Sequence, residues 1–267
     1  MKKKIQILVF FLGVLVVWEI IRLYPHFKKY QQIASTLPNL KPIESNPTAR
    51  SFPFPKKIWI HRVNSTERAS YLESKYEGIE MDITFDTLTK TFDVGHPPSP
   101  SIGLSLEHFF SKISHLHAHC FWLDFKNLRE DNKKSACEKL LSLSKAMGIE
   151  HRIIVESQNA EALNIFTEAG FYTSYYVPVF HLETSSKGDI EKKYAEIQSA
   201  LIHAKVCAVS GEASQYVFLE KYLPQYEKLL WQLDEKHGFS YYATSFYLRL
   251  KSKVKVILVN ENSPGYR

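Results

Sequence analysis

Cysteine is scarce in this chain. The 267 residues hold three, Cys120, Cys137 and Cys207, with no C-x-x-C pair and no zinc-like spacing. That excludes a dithiol redox motif and a cysteine metal site. Cys120 and Cys207 abut strand-like runs and are expected as buried thiols. Glycine is also sparse, at ten residues, and no glycine-rich loop follows the first strand-like run, as a dinucleotide-binding unit would require. Ser210-Gly211-Glu212 lacks the flanking glycines of a nucleophile elbow. No basic stripe interleaved with aromatics accompanies the net charge of +6, so nucleic acid is not an expected partner. Low-complexity tracts and short repeats are absent as well. With 45% hydrophobic residues, the chain carries enough apolar surface for a large globular domain.

What is present begins with the N-terminus. Lys2-Lys3-Lys4 precedes an apolar run from Ile5 to Ile21, broken only by Gln6, Gly13 and Glu19. Its length suits a membrane crossing, and no small-residue cleavage site follows it. Residues 1–27 are therefore expected as an uncleaved anchor, with a cleaved or amphipathic leader as the alternative. The three lysines favour a cytoplasmic N-terminus and an extracytoplasmic domain on a single-pass membrane protein. Residues 28–56 carry Pro38, Pro42, Pro47, Pro53 and Pro55 and are expected as a linker or strap rather than a helix. Residues 57–267 form the domain.

Strand-like runs cover residues 58–63, 78–85, 121–126, 152–156, 172–177, 206–210, 229–233 and 254–260. Helical patterns lie between several of them. Ser105 is placed to cap one that carries Leu106, Phe109, Phe110, Ile113 and Leu116. Others centre on Ala136 to Leu143, Ala162 to Ala169 and Ile190 to Leu201. Strands separated by crossovers of helical length imply parallel pairing, and the number of units fits a (β/α)8 TIM barrel of the α/β class. A doubly wound open sheet is the alternative.

The strand ends are unusual. Side chains alternate along a strand, so Ile79, Met81 and Ile83 share one face while Glu80 and Asp82 share the other. Trp122, Asp124 and Lys126 likewise oppose Phe121, Leu123 and Phe125. In a barrel the charged sets face the lumen near its C-terminal mouth, and His61 ends the first strand in the same way. Burying such charges singly costs several kcal/mol each unless they are paired or metal-bound. Three carboxylates suit a divalent cation with oxygen ligands, Mg2+ or Ca2+. Arg62 and Lys126 offer positive charge to a phosphate. If the segment after the second strand folds back, His96 comes over the mouth, and two histidines can then act as general acid and base.

His61-Arg62, Glu80-x-Asp82, a histidine after a short hairpin and Leu123-Asp124-Phe125-Lys126 together resemble the pattern of the glycerophosphodiester phosphodiesterases. Their superfamily includes phosphatidylinositol-specific phospholipase C and spider sphingomyelinase D. The resemblance spans about residues 57–127. It implies that His61 and His96 are the acid/base pair, that Glu80, Asp82 and Asp124 are metal ligands, and that Arg62 and Lys126 contact phosphate. The chain departs from the pattern at Val63 for glycine, Pro97 for aspartate and Asp124 for glutamate. His61-x-x-Asn64-Ser65 with Glu80-x-Asp82 resembles the menorin family, a divergent branch of these barrels. Asn64 and Glu156 are expected to support the site or touch substrate; for Glu156 a satisfied pair in the lumen is an equal alternative.

The expected function is a membrane-anchored, metal-dependent phosphoric diester hydrolase acting on a glycerophosphodiester or phospholipid head group. The alternative is an inactive barrel that binds a phosphorylated lipid or partner at the membrane. His115-Leu116-His117-Ala118-His119 falls between a helix end and a strand start and is expected as an exposed turn on the opposite rim. Trp231, Asn260, Tyr175 and Tyr176 are expected as mouth or core residues.

Overall fold

The computed structural model describes residues 24–25, 28–232 and 238–266. The expected anchor run, residues 5–21, lies outside them. Among the described residues no helix is long and apolar enough to cross a membrane.

Among the described residues, nine strands form one sheet: β1 (Ile58–Ile60), β2 (Gly78–Asp86), β3 (Thr91–Val94), β4 (Cys120–Phe125), β5 (Ile153–Ser157), β6 (Tyr172–Tyr176), β7 (Ala208–Glu212), β8 (Glu227–Gln232) and β9 (Val254–Val259). All are parallel neighbours in chain order except β3, which pairs antiparallel with β2 alone. β1 bonds to β9 on one side, Ile58 opposite Ile257, and to β2 on the other, Ile60 opposite Ile79. The eight parallel strands therefore close into a TIM-like barrel, and the open-sheet alternative is excluded.

Helices α1 (Thr66–Leu72), α2 (Leu106–Lys112), α3 (Lys133–Ala146), α4 (Asn164–Glu168), α5 (Lys187–Leu201), α6 (Tyr216–Tyr222) and α7 (Phe239–Arg249) lie in the connections. Ser105 caps α2 as expected, accepting from His108 N–H at 3.1 Å. Helices α1, α6 and α7 are not among the helical patterns expected from the sequence. The first and second are only two turns long, and α7 is crowded with aromatics of middling helix propensity.

Alternation divides the core into two layers. Phe121, Leu123 and Phe125 of β4 face the helices, with Phe121 against Phe110 at 4.8 Å between ring centroids. Trp59, Trp122, Tyr172, Leu229 and Leu258 fill the lumen. Gly78 is required there, because a Cβ at this position would lie 1.9 Å from Trp59 Cδ2.

Residues 28–36 are helical, which corrects the expectation that this part of the linker is not a helix. The physical reason is that its prolines begin only at Pro38. Tyr30 stacks on Tyr247 of α7 at 4.6 Å. From Pro38 the chain runs extended beneath the barrel, with Ile43 N–H donating to Tyr222 O at 2.8 Å and Thr48 N–H to Val206 O at 3.0 Å. It ends with Phe52 and Phe54 against Trp59 and Tyr172, which closes the N-terminal end of the lumen.

Candidate active site

The site is written in the register of three strands. Asp82 pairs with Asp124 across β2 and β4, and Asp124 with Glu156 across β4 and β5. Residues in register point to the same face, so these carboxylates line up along the upper lumen. Glu80 sits two residues below Asp82 on the same face. Carboxylate oxygens of Glu80, Asp82 and Asp124, all buried, lie within 4.8 Å of one another.

β1 ends at Ile60 because Arg62 adopts a left-handed conformation, with φ at 59°, which a non-glycine residue takes at some cost in strain. The turn brings Arg62 N–H onto Glu80 Oε2 at 2.5 Å and holds Arg62 Nε 3.9 Å from Asp82 Oδ2. That Nε is buried without a hydrogen-bond partner among the described residues. Past β3, Gly95 N–H donates to Asp82 O at 3.0 Å, and this folds the hairpin so that His96 reaches the mouth. His61, Arg62, Glu80, Asp82, His96, Asp124, Lys126 and Glu156, which sequence alone had singled out, line one cavity of about 150 Å3. Tyr176, Trp231 and Leu258 complete its wall.

Asn64 stands behind this cavity. It grips Asp82 twice, donating from Nδ2 to Oδ2 at 2.6 Å and accepting the Asp82 N–H at 2.9 Å. Glu156 takes the satisfied arrangement: Trp122 Nε1 donates to it at 3.0 Å and Ser210 Oγ donates to its other oxygen. Tyr175 packs in the outer core. Two partnerships went unforeseen. Asn260 Oδ1 lies 3.0 Å from His61 Nδ1, and Arg68, fully buried, donates from Nη2 to His61 O at 3.0 Å. No sequence motif signals either: the first needs the chain to return after β9, and the second reaches back seven residues from α1 across the Arg62 turn. In the histidine triplet, His115 and His117 are exposed but His119 is buried, a correction that follows from its position at the entry to β4.

Charge is under tension here. Burial, reinforced by Asp82 and Asp124, holds the Glu80 carboxyl well above its usual range. Burial likewise pushes Asp124 up to about 6, against the pull of Lys126. Asp82 is also buried, yet Lys126 at 2.9 Å and Asn64 overcome that penalty and hold it low. Lys126, which also contacts Asp124, is held above the usual lysine range once those two carboxylates outweigh its own burial. Burial lowers His61 to about 4, with the Asn260 bond opposing. Three clustered carboxylates that resist ionising together are a donor set that a hard divalent cation would relieve. The residues present fit such an ion.

No family model matches the chain, and no curated protein matches it in sequence. Solved structures do match in shape. A glycerophosphodiester phosphodiesterase from Parabacteroides distasonis superposes with a TM-score of 0.53 at 13% identity, covering 76% of this chain and 92% of its own. A candidate glycerophosphodiester phosphodiesterase from Galdieria sulphuraria gives 0.50 at 15% identity, covering 77% and 94%. Another candidate enzyme of this kind, from Silicibacter pomeroyi DSS-3, gives 0.50 at 11%, covering 79% and 91%. At such identities the likeness concerns the fold. The chain folds as the glycerophosphodiester phosphodiesterase barrels do.

Proposed function

We propose that this protein is a phosphoric diester hydrolase acting on a glycerophosphodiester or a phospholipid head group. The observation that carries the proposal is convergence: two histidines, two cationic side chains and a three-carboxylate cluster border one small cavity at the C-terminal mouth. A fold alone would not suffice, because barrels host many chemistries.

In this reading Glu80, Asp82 and Asp124 hold a divalent cation, Mg2+ or Ca2+. When bound, the cation would stabilise negative charge developing on the phosphoryl oxygens. Arg62, with its unpartnered Nε, and Lys126 bind and orient the phosphate. With Asn260 Oδ1 accepting, His61 carries its proton on Nδ1 and presents the Nε2 lone pair. His61 therefore takes the proton from the attacking hydroxyl, whether of water or of the substrate, and His96 protonates the leaving oxygen.

The membrane anchor belongs to the same proposal. The helical stretch 28–36 begins beside the strand ends, where Lys29 pairs with Glu183 at 2.6 Å in the loop between β6 and α5. Lys29 thus lies on the face that holds the site. An apolar run over residues 5–21 would then keep the mouth close to the bilayer on the extracytoplasmic side.

A second reading is a binding barrel without turnover. It is favoured by Lys126, which already spans Asp82 and Asp124, and by Pro97 directly after His96. The test is release of product from a chromogenic phosphodiester by the full chain, with Mg2+ or Ca2+ and then with chelator, beside His61→Ala. Turnover that needs both metal and His61 supports the hydrolase. Turnover indifferent to either overturns the site assignment, and saturable binding of the ester with no product establishes the binding barrel.

A further inference from the structure

A second cavity, of about 210 Å3, adjoins the first at the ends of β7 and β8. Trp231 is common to the walls of both. The remaining wall comes from the 28–36 stretch, through Lys29 and Tyr30, and from α7, through Thr244. Two lining acceptors, Glu212 Oε2 and Gln232 Oε1, are buried and have no hydrogen-bond partner among the described residues. Gln232 is only 4% exposed.

Neither group is free to turn toward a partner elsewhere. Gln232 Nε2 donates to Tyr241 O at 2.7 Å, which fixes the amide. The other oxygen of Glu212 accepts from the Gln215 N–H in a reciprocal cap, and Gln215 Oε1 accepts the Glu212 N–H at 3.0 Å. Of the lining donors, Lys29 is paired with Glu183 and Tyr30 OH donates to Thr244 Oγ1 at 3.3 Å, while the hydroxyls of Ser214 and Ser240 also line the wall. Buried acceptors left unmatched are uncommon in native proteins, and two in one cavity offer a place for a ligand's donors.

We infer that this cavity receives the alcohol side of the diester, and that this group ends in N–H or O–H donors. A primary ammonium or a polyol satisfies Glu212 and Gln232; a quaternary ammonium, which has no N–H, does not. The inference rests on the hydrolase reading for the position of the phosphate, on the far side of Trp231.

Two measurements on the full chain test it. The first is the ratio of kcat/KM for glycerophosphoethanolamine to that for glycerophosphocholine, with glycerophosphoglycerol as the polyol arm. The ratio is expected to favour the ethanolamine ester and to fall about tenfold in Glu212→Gln and in Gln232→Met, the effect of one charge-assisted hydrogen bond. The relative rank of the ethanolamine and glycerol esters tells ammonium from polyol. The second is the thermal midpoint with phosphoethanolamine, glycerol phosphate or phosphocholine, which needs no turnover. Phosphoethanolamine or glycerol phosphate should stabilise the wild type more than phosphocholine, and the difference should vanish in the variants. Equal stabilisation by all three, or a ratio unchanged in both variants, overturns the inference. Selective stabilisation without turnover of any diester preserves the cavity and rejects the hydrolase.

Discussion

At the N-terminal end of the lumen, Trp59, Trp122 and Tyr172 cluster with Phe52 and Phe54, and the polar atoms of Trp59 and Tyr172 are matched. Trp59 Nε1 donates to Lys56 O at 2.9 Å, and Tyr172 OH to Glu227 at 2.6 Å. At the C-terminal end the same alternation presents Glu80, Asp82, Asp124 and His61, with displaced titration and an unpartnered Arg62 Nε. One end buries aromatic surface, the dominant favourable term in folding. The other end accumulates charge and strain that folding alone does not reward. A barrel can carry an unfavourable mouth because its base is well packed, so stability and chemistry are held by different residues of the same strands.

The most severe way to break this division is Glu80→Gln combined with Asp82→Asn. If the mouth serves chemistry alone, turnover falls by about a thousandfold or more, while the thermal midpoint holds or rises because mutually repelling buried carboxylates have been removed. Product release and a melting curve on the same sample decide it. A collapse of the fold would show that the carboxylates, with Lys126, are structural.

The converse substitution is Gly78→Ala, at the packed end. The added Cβ would lie 1.9 to 2.3 Å from three atoms of the Trp59 ring, which Phe52 and Phe54 back from below. Overpacking of this kind is expected to destabilise by about 3 kcal/mol, read by denaturant unfolding, with activity per folded molecule retained. An unchanged unfolding midpoint would mean that the plug is loose.

The same division explains what could be read from sequence. The eight barrel strands were legible because alternation is a local signal, and the carboxylates because residue type and parity together fix the face. Ends shifted where tertiary geometry intervened: the first strand stops at Ile60, before the Arg62 turn, and the sixth run moved to Ala208–Glu212. The supporting contacts were not legible. His61 meets Asn260 across 199 residues and Glu156 meets Ser210 across 54, and nothing in the local pattern of either partner announces the pairing. Glu212 and Gln232 acquire meaning only once their lack of partners is visible.

The smallest predicted effect concerns an exception to the matched base. Lys228, near the start of β8, is fully buried. Its Nζ donates to Tyr226 O at 2.9 Å and lies 3.4 Å from Glu220, itself half exposed. Burial lowers the amine to about 8 against the opposing pull of Glu220. Below pH 8 both folded and unfolded chains are protonated, and the folded state bears the whole penalty of the buried charge. Between pH 8 and the unfolded value of about 10.4, the unfolded chain binds a proton that the folded one has released, so stability rises with pH. Lys228→Met removes the charge at similar volume and leaves Glu220 to solvent. It should stabilise the protein by about 1 kcal/mol at pH 7, with the advantage shrinking as pH approaches 10. Melting curves of both proteins at pH 7 and pH 10 read this directly. A gain that is the same at both pH values would assign it to packing, and a loss at pH 7 would mean that the Tyr226 and Glu220 contacts outweigh the buried charge.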